Sequence, residues 1–158
     1  MIVRRQLFFK TLQSCLAVSL AGACCHEKKF GMSDGEFGHR LGEDRTTGVL
    51  IQEIWGKTTP EGLGEAAAAL GEACIRLRST RILMLVSRSD AQFTPAQFIS
   101  MFEAFMTAFP SVRRIAYVLD VSSHDTEQML LGTLAWRHQI KVGFHDDEKA
   151  ALAWLGRG

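Results

Sequence analysis

Four short apolar runs, each followed by a segment with helical spacing, constrain the fold of this chain more than any other feature. The runs occupy residues 48–55, 82–86, 115–119 and 140–144, and their β-branched and aromatic residues predict strands. Strands that alternate with helices require crossover connections, which are right-handed and produce a parallel sheet. Residues 37–41 predict one further short strand, antiparallel to the first run. We therefore expect an α/β fold with a mixed, mainly parallel sheet of four to five strands and about four helices.

Two Thr-Pro pairs mark the starts of the first two predicted helices. The pairs begin at Thr59 and Thr94, and each places a hydroxyl cap before a proline at the first helical position. Gln97 completes a capping box with Thr94, which makes this the strongest helix start in the sequence. Asp146 is predicted to cap the last helix.

Residues 1–31 differ in composition from the rest of the chain. Of the 18 basic and 17 acidic residues, five and one lie in this segment, which leaves 13 and 16 from Met32 onward, a net charge of −3. A basic start, an uncharged stretch and small residues before Cys24 have the layout of a secretory signal. Alternatively, translation begins at Met32. We predict a leader or mis-annotated extension over residues 1–31 and the folded domain over residues 32–158.

The two interpretations of this segment predict different locations. With a start at Met32 the protein is cytoplasmic, which agrees with the lone cysteine of the domain, Cys74, because no disulfide can form within the domain. If residues 1–23 are a genuine signal peptide, the protein is exported. The uncharged stretch is too short for a transmembrane helix, so we expect no transmembrane segment.

The sequence lacks the common motifs of catalysis and cofactor binding. It has no phosphate-binding loop, no dinucleotide-binding glycine pattern and no nucleophile elbow. Cys24, Cys25 and His26 have no spaced second pair of the kind that a zinc site needs. An acidic domain also lacks the basic surface of nucleic-acid binders. We therefore expect that the protein is not an enzyme and that it uses no cofactor, metal or nucleic acid.

The polar residues 87–93, which predict a loop after a buried strand, are the candidate partner-binding surface. Ligands of open parallel sheets meet the loops at the carboxyl ends of the strands. The loop also leads into a capped helix start, where free amides and the helix dipole favour an acidic partner group. The predicted partner-binding residues are Ser87, Arg88, Ser89, Asp90, Phe93 and Thr94.

The apolar stripe of the second helix leaves a different function open. Its phenylalanines are mostly expected in the core, but the helix is apolar over more than one stripe, so part of it can face a ligand. The alternative function is a carrier or sensor of a small lipophilic molecule. Its pocket would lie between this helix and the sheet and would be lined by Phe98, Phe102 and Phe105.

The two ends of the domain resemble a known family. Residues 142–155 combine a strand, an acidic turn and a helix of the type Ala-Leu-x-Trp-Leu, and residues 37–41 are followed by a polar turn and an apolar strand. Over residues 36–156 the chain resembles the STAS-like, SpoIIAA-like domains of bacteria. The resemblance implies a non-enzymatic regulatory module that acts through protein–protein interaction.

The regulatory switch of that family is not reproduced in this sequence. In the better-known relatives, anti-anti-sigma factors, a serine in an Asp-Ser-x-Gly motif before the second helix is phosphorylated. The matching stretch here is residues 90–95, Asp-Ala-Gln-Phe-Thr-Pro. Thr94 stands near the acceptor position, but its predicted capping role already accounts for it. The resemblance therefore implies the fold and an interaction role more firmly than a phosphorylation switch.

Overall fold

Five strands and four helices make up the part of the chain that the computed structural model describes, residues 35–119 and 125–157. Residues 1–31, for which a leader or extension is predicted, lie outside these ranges, so the domain boundary stays a prediction. The strands are β1 Gly38–Asp44, β2 Val49–Thr58, β3 Arg81–Ala91, β4 Arg114–Val118 and β5 Lys141–His145. The helices are α1 Pro60–Leu77, α2 Pro95–Ala108, α3 Asp125–Arg137 and α4 Glu148–Gly156.

The strands form one sheet in the order β1-β2-β3-β4-β5. Strand β1 pairs antiparallel with β2, and every other neighbouring pair is parallel. At the turn between β1 and β2, Asp44 accepts hydrogen bonds from the Thr47 hydroxyl and the Thr46 amide, which hold the pKa of its carboxyl below the usual value. The mixed, mainly parallel sheet predicted from the sequence is therefore confirmed.

The two faces of the sheet are covered unequally. One face packs against α1, α2 and α3, and the other packs against α4 in a smaller cluster. Because side chains alternate along a strand, each buried strand contributes to both clusters. Ile82 belongs to the larger cluster and its neighbour Leu83 to the smaller, and both are fully buried.

Helix α1 packs closely on the end of α2 because it has a glycine at the contact. A Cβ atom on Gly71 would lie 1.9 Å from Cζ of Phe109, the residue that ends α2. Gly64, on the same helix, has open space beside it. Thr59 caps α1 by accepting a hydrogen bond from the Gly62 amide, as predicted.

The prediction that Asp146 caps the last helix is wrong by one residue. Asp147 is the cap of α4, and its carboxylate accepts a 2.8 Å hydrogen bond from the Ala150 amide. Strand β5 runs one residue beyond its apolar stretch, to His145, which moves the helix start along the chain. At the other end of α4, the Arg81 and Arg114 guanidinium groups donate to its last carbonyls, where the helix dipole is negative.

The prediction of a loop over residues 87–93 is wrong for residues 87–91, which continue β3. Strand β2 extends past its apolar run to Thr58 and pairs with β3 as far as Ala91, with one extra residue in β3 between the partners of Glu53 and Trp55. The β3–β4 pairing ends at Leu85 and Val118. The two longer strands therefore extend beyond β4, and we name residues 55–58 and 86–91 the projecting ribbon.

Candidate functional site

The projecting ribbon contains four of the six predicted partner-binding residues. Ser87, Arg88, Ser89 and Asp90 follow one another in β3, and backbone pairing with β2 fixes the alternation of the last three. Arg88 lies opposite Trp55, and Asp90 lies opposite Lys57. These side chains belong to the face of the sheet that carries α4, whereas Ser89 belongs to the face that carries the other helices.

A carboxylate on β2 joins two arginines from its two neighbouring strands. The Glu53 side chain accepts a 2.7 Å hydrogen bond from Arg40 of β1, and its other oxygen lies 3.7 Å from Arg88 Nη1. The arginine side chains are 76% and 58% exposed, and the Glu53 side chain is 18% exposed. Two guanidinium groups on one carboxylate leave donors free for an acceptor outside the molecule.

An aromatic ring lies beside this charged group. Trp55 covers β1 at Gly38, where an added Cβ atom would lie 2.5 Å from the indole ring. Lys57 and Asp90, at the end of the ribbon, are both exposed. A partly exposed tryptophan next to arginines is the composition that protein interfaces favour over the rest of a surface.

Hydrogen bonds hold the two strands of the ribbon together up to its tip. The Thr58 and Ser89 hydroxyls are 2.7 Å apart, and Thr58 is 1% exposed. The Gln92 amide donates to the Thr58 carbonyl at 2.9 Å, one residue after β3 ends. The predicted binding residues are therefore presented by paired strands and not by an independent loop.

The remaining two predicted partner-binding residues lie where the ribbon leads into α2. Phe93 is half-buried and stacks on Phe98, with ring centroids 5.8 Å apart. The Thr94 hydroxyl accepts a 3.3 Å hydrogen bond from the Gln97 amide, and the Gln97 side chain accepts a 2.8 Å hydrogen bond from the Thr94 amide. The predicted capping box is therefore confirmed.

Because of this capping, few backbone amides at the start of α2 are free to bind an anion. Pro95 has no N–H group, the Gln97 amide is bound by Thr94 Oγ1, and the Phe98 amide donates to the Thr94 carbonyl. Ala96 carries the other first-turn amide. The free amide donors expected here from the sequence are thus mostly used within the helix, and the charged group on the ribbon has more donors to offer.

The three phenylalanines of the predicted lipophilic pocket occupy different surroundings. Phe102 is buried in the larger core cluster, 6.2 Å from the Phe98 ring. Phe105 is half-buried and contacts Phe109, with centroids 5.0 Å apart. The rings of Phe98 and Phe105 are both half-buried and pack against the core. The structure thus brings Phe98 and Phe102 together and turns Phe105 toward the contact between α1 and α2.

Four other reactive side chains of the described residues are engaged in ion pairs or buried in the core. Glu103 of α2 bonds to His138 and Arg137 at the end of α3, at 3.0 Å and 2.9 Å. Burial raises the pKa of the Cys74 thiol to about 11, so it stays protonated at neutral pH. Burial likewise raises the pKa of the Tyr117 hydroxyl. Within residues 35–119 and 125–157, no three His, Cys, Asp or Glu side chains are grouped to hold a metal ion.

Sequence reasoning missed the residues that flank the predicted ones on β1 and β2. Arg40, Glu53, Trp55, Lys57 and Thr58 complete the surface. The available signal was Glu53, a charged residue within an apolar strand, since such a position needs a partner on a neighbouring strand. Recognising its partners requires the strand register, which a single sequence does not provide.

Comparisons with known proteins identify the fold of the chain. No family model matches the chain, and no curated protein matches it. Among solved structures, it is similar to an uncharacterized protein of the DUF3478 family from Shewanella loihica PV-4, described as having a SpoIIAA-like fold. The TM-score is 0.58 at 19% identity, over 79% of this chain and 99% of the other. In the described part of the chain, no helix has the length and hydropathy of a membrane span. The chain therefore shares the SpoIIAA-like fold, as the resemblance predicts.

Proposed function

We propose that this protein is a non-catalytic STAS-like regulatory module that binds another protein through the projecting ribbon. The observation that carries the proposal is the exposed charged group of Arg40, Glu53 and Arg88 on a strand pair that extends beyond β4. The predicted partner-binding residues Arg88 and Asp90 lie on one face of this pair, and Phe93 follows at its end.

The physical basis of the proposal is a rigid surface that combines charge with aromatic area. Paired strands lose less conformational freedom on binding than a loop does, so more of the contact energy is available as affinity. The free donors of Arg40 and Arg88 favour a partner that presents carboxylates, and Trp55 supplies apolar area beside them.

A non-catalytic role is the simplest account of the reactive groups in the described residues. Catalysis requires a nucleophile or acid–base group that converges on a site open to substrate. The Cys74 thiol is buried and protonated, and Glu103 and His138 are committed to the contact between α2 and α3. The ribbon carries side chains that can bind a partner protein, and we assign none of them a role in proton transfer.

The lipophilic carrier stays the alternative proposal. Phe98 and Phe105 are half-buried on α2, which leaves part of the aromatic stripe able to meet an apolar molecule. Packing of both rings against the core favours the interaction module over the carrier. Mass spectrometry of the purified native protein, for co-purifying lipids, distinguishes the two proposals.

A pull-down from native cell extract with the immobilised full chain tests the interaction. Wild-type protein should capture a protein partner, and the double variant Arg88→Glu/Phe93→Ala should lose at least nine-tenths of it, about 1.4 kcal/mol or more of binding free energy. Quantitative mass spectrometry measures the captured protein, and circular dichroism verifies the fold.

A matched control keeps this test specific. Arg76→Glu/Ile75→Ala makes the same kinds of change on α1, where Ile75 is 64% exposed and Arg76 is exposed. The control should capture the partner as the wild type does. Equal capture by a folded Arg88→Glu/Phe93→Ala variant would place the binding surface elsewhere.

A further inference from the structure

Among the residues that the structure describes, one edge of β3 has no neighbouring strand in the ribbon. Strand β4 ends at Val118, opposite Leu85, and within residues 35–119 and 125–157 no strand pairs with β3 on that side beyond this point. On its other side β3 stays paired with β2 as far as Ala91. Residues 86–91 thus present roughly 20 Å of strand edge. Such an edge accepts a further strand through its backbone donors and acceptors.

We propose that this edge pairs with the same edge of a second copy of the chain, antiparallel, about a two-fold axis through Ser89. The inference goes beyond the proposed function, because it assigns the unpaired edge of the same ribbon to a second copy of the chain. Residues directly opposite each other in antiparallel strands point to the same face of the sheet. With Ser89 opposite Ser89 of the second copy, Arg88 lies opposite Asp90 of that copy. The two-fold axis makes this contact twice.

The two charges also select this register over its neighbours. A two-fold axis through Arg88 would place arginine opposite arginine, and an axis through Asp90 would place aspartate opposite aspartate. Like charges directly opposite on neighbouring strands are destabilising, and opposite charges are stabilising. Of these three registers, only the one centred on Ser89 pairs unlike charges.

The described surroundings of these side chains leave them able to make that contact. Asp90 is exposed and makes no ion pair with the residues that the structure describes. Arg88 is 58% exposed and holds Glu53 only at 3.7 Å. On the opposite face of the ribbon, Ser89 and Ala91 are small, so no bulky side chain stands at the centre of the pairing.

Sedimentation velocity on the full chain, over a series of protein concentrations, tests the dimer. The wild type should associate to a dimer as concentration rises. Arg88→Asp and Asp90→Arg should each weaken association at least tenfold, because each places like charges opposite one another. An equimolar mixture of the two variants should form a heterodimer, since both opposing pairs are then unlike.

The control for this experiment is Arg45→Asp. This change reverses the charge of an exposed arginine in the turn between β1 and β2, at the opposite end of β2 from the ribbon, so it should leave the dimer unchanged. A wild type that stays monomeric at every concentration overturns the proposal. Failure of the mixed variants to associate, or loss of the dimer in Arg45→Asp, also overturns it.

The outcome for the dimer is separable from the outcome for the proposed function. A monomeric wild type that captures a partner through Arg88 and Phe93 overturns the dimer alone. A wild-type dimer that captures no partner through those residues overturns the proposed binding to another protein and leaves the dimer standing.

Discussion

The two halves of β3 share a strand conformation but differ in their pairing, burial and charge. Residues 82–85 pair with strands on both sides and include the fully buried Ile82 and Leu83. Residues 88–91 pair only with β2 among the described strands and carry Arg88 and Asp90 into solvent. Backbone pairing therefore sets the length of a strand, whereas coverage by helices sets how apolar it is. One strand can thus serve the core at one end and recognition at the other.

This division assigns stability and binding to separate positions of one element. Substitutions in the covered half should change the free energy of unfolding, because they remove packed apolar atoms. Substitutions of the exposed Arg88 and Asp90 in the projecting half should change binding and leave stability nearly constant, because these side chains are solvated.

Ile82→Ala is expected to give the largest effect and to separate the two halves most clearly. The side chain is fully buried in the larger core cluster, so its loss should cost about 3 kcal/mol of unfolding free energy. Arg88→Ala, in the other half of the same strand, should change it by less than about 0.5 kcal/mol. Urea denaturation measures both. Similar losses in the two variants would contradict the division.

A second pair of variants tests how tightly two of the helices that cover the sheet, α1 and α2, pack against each other. Gly71→Ala should cost about 2 kcal/mol of unfolding free energy, because the added Cβ atom meets the Phe109 ring. Gly64→Ala, with open space on the same helix, should add about 0.5 to 1 kcal/mol through better helix propensity. Thermal and urea unfolding report the signs. A neutral Gly71→Ala would mean that the ring can move aside at no cost.

A smaller loss of stability than for Ile82→Ala or Gly71→Ala is expected where the projecting half joins α2. Thr94→Ala should cost about 1 kcal/mol of unfolding free energy, since the Gln97 amide loses its acceptor. Thr94→Ser should restore most of this. Urea denaturation of the three proteins gives the comparison, and unchanged stability in the alanine variant would show that the cap contributes little.

Much of the covered part of the fold could be predicted from the sequence, because burial leaves a hydrophobic signature. The apolar runs around Ile82 and Ile115 and the capping box at Thr94 all correspond to observed elements. The last cap was misplaced by one residue, since Asp146 and Asp147 are chemically equivalent choices.

The projecting part could not be predicted in the same way. Residues 87–91 are polar and resemble a loop in composition, and their strand conformation depends on pairing with residues 55–58, about thirty positions earlier. The Glu53 ion pairs likewise join three strands, so they become visible only once the register is known. The candidate residues on β3 were identified, but those on β1 and β2 were not.

Amide hydrogen exchange along β3, followed by NMR at low protein concentration, tests the two-part strand most directly. Amides of residues 82–85 should exchange with free energies of opening close to that of global unfolding. The Gln92 amide, bonded to the Thr58 carbonyl, should be protected well above the level of an unstructured peptide but less than these. If the amides of residues 87–92 all exchanged as fast as in an unstructured peptide, residues 87–91 would be a loop, and the ribbon on which the binding proposals rest would not exist.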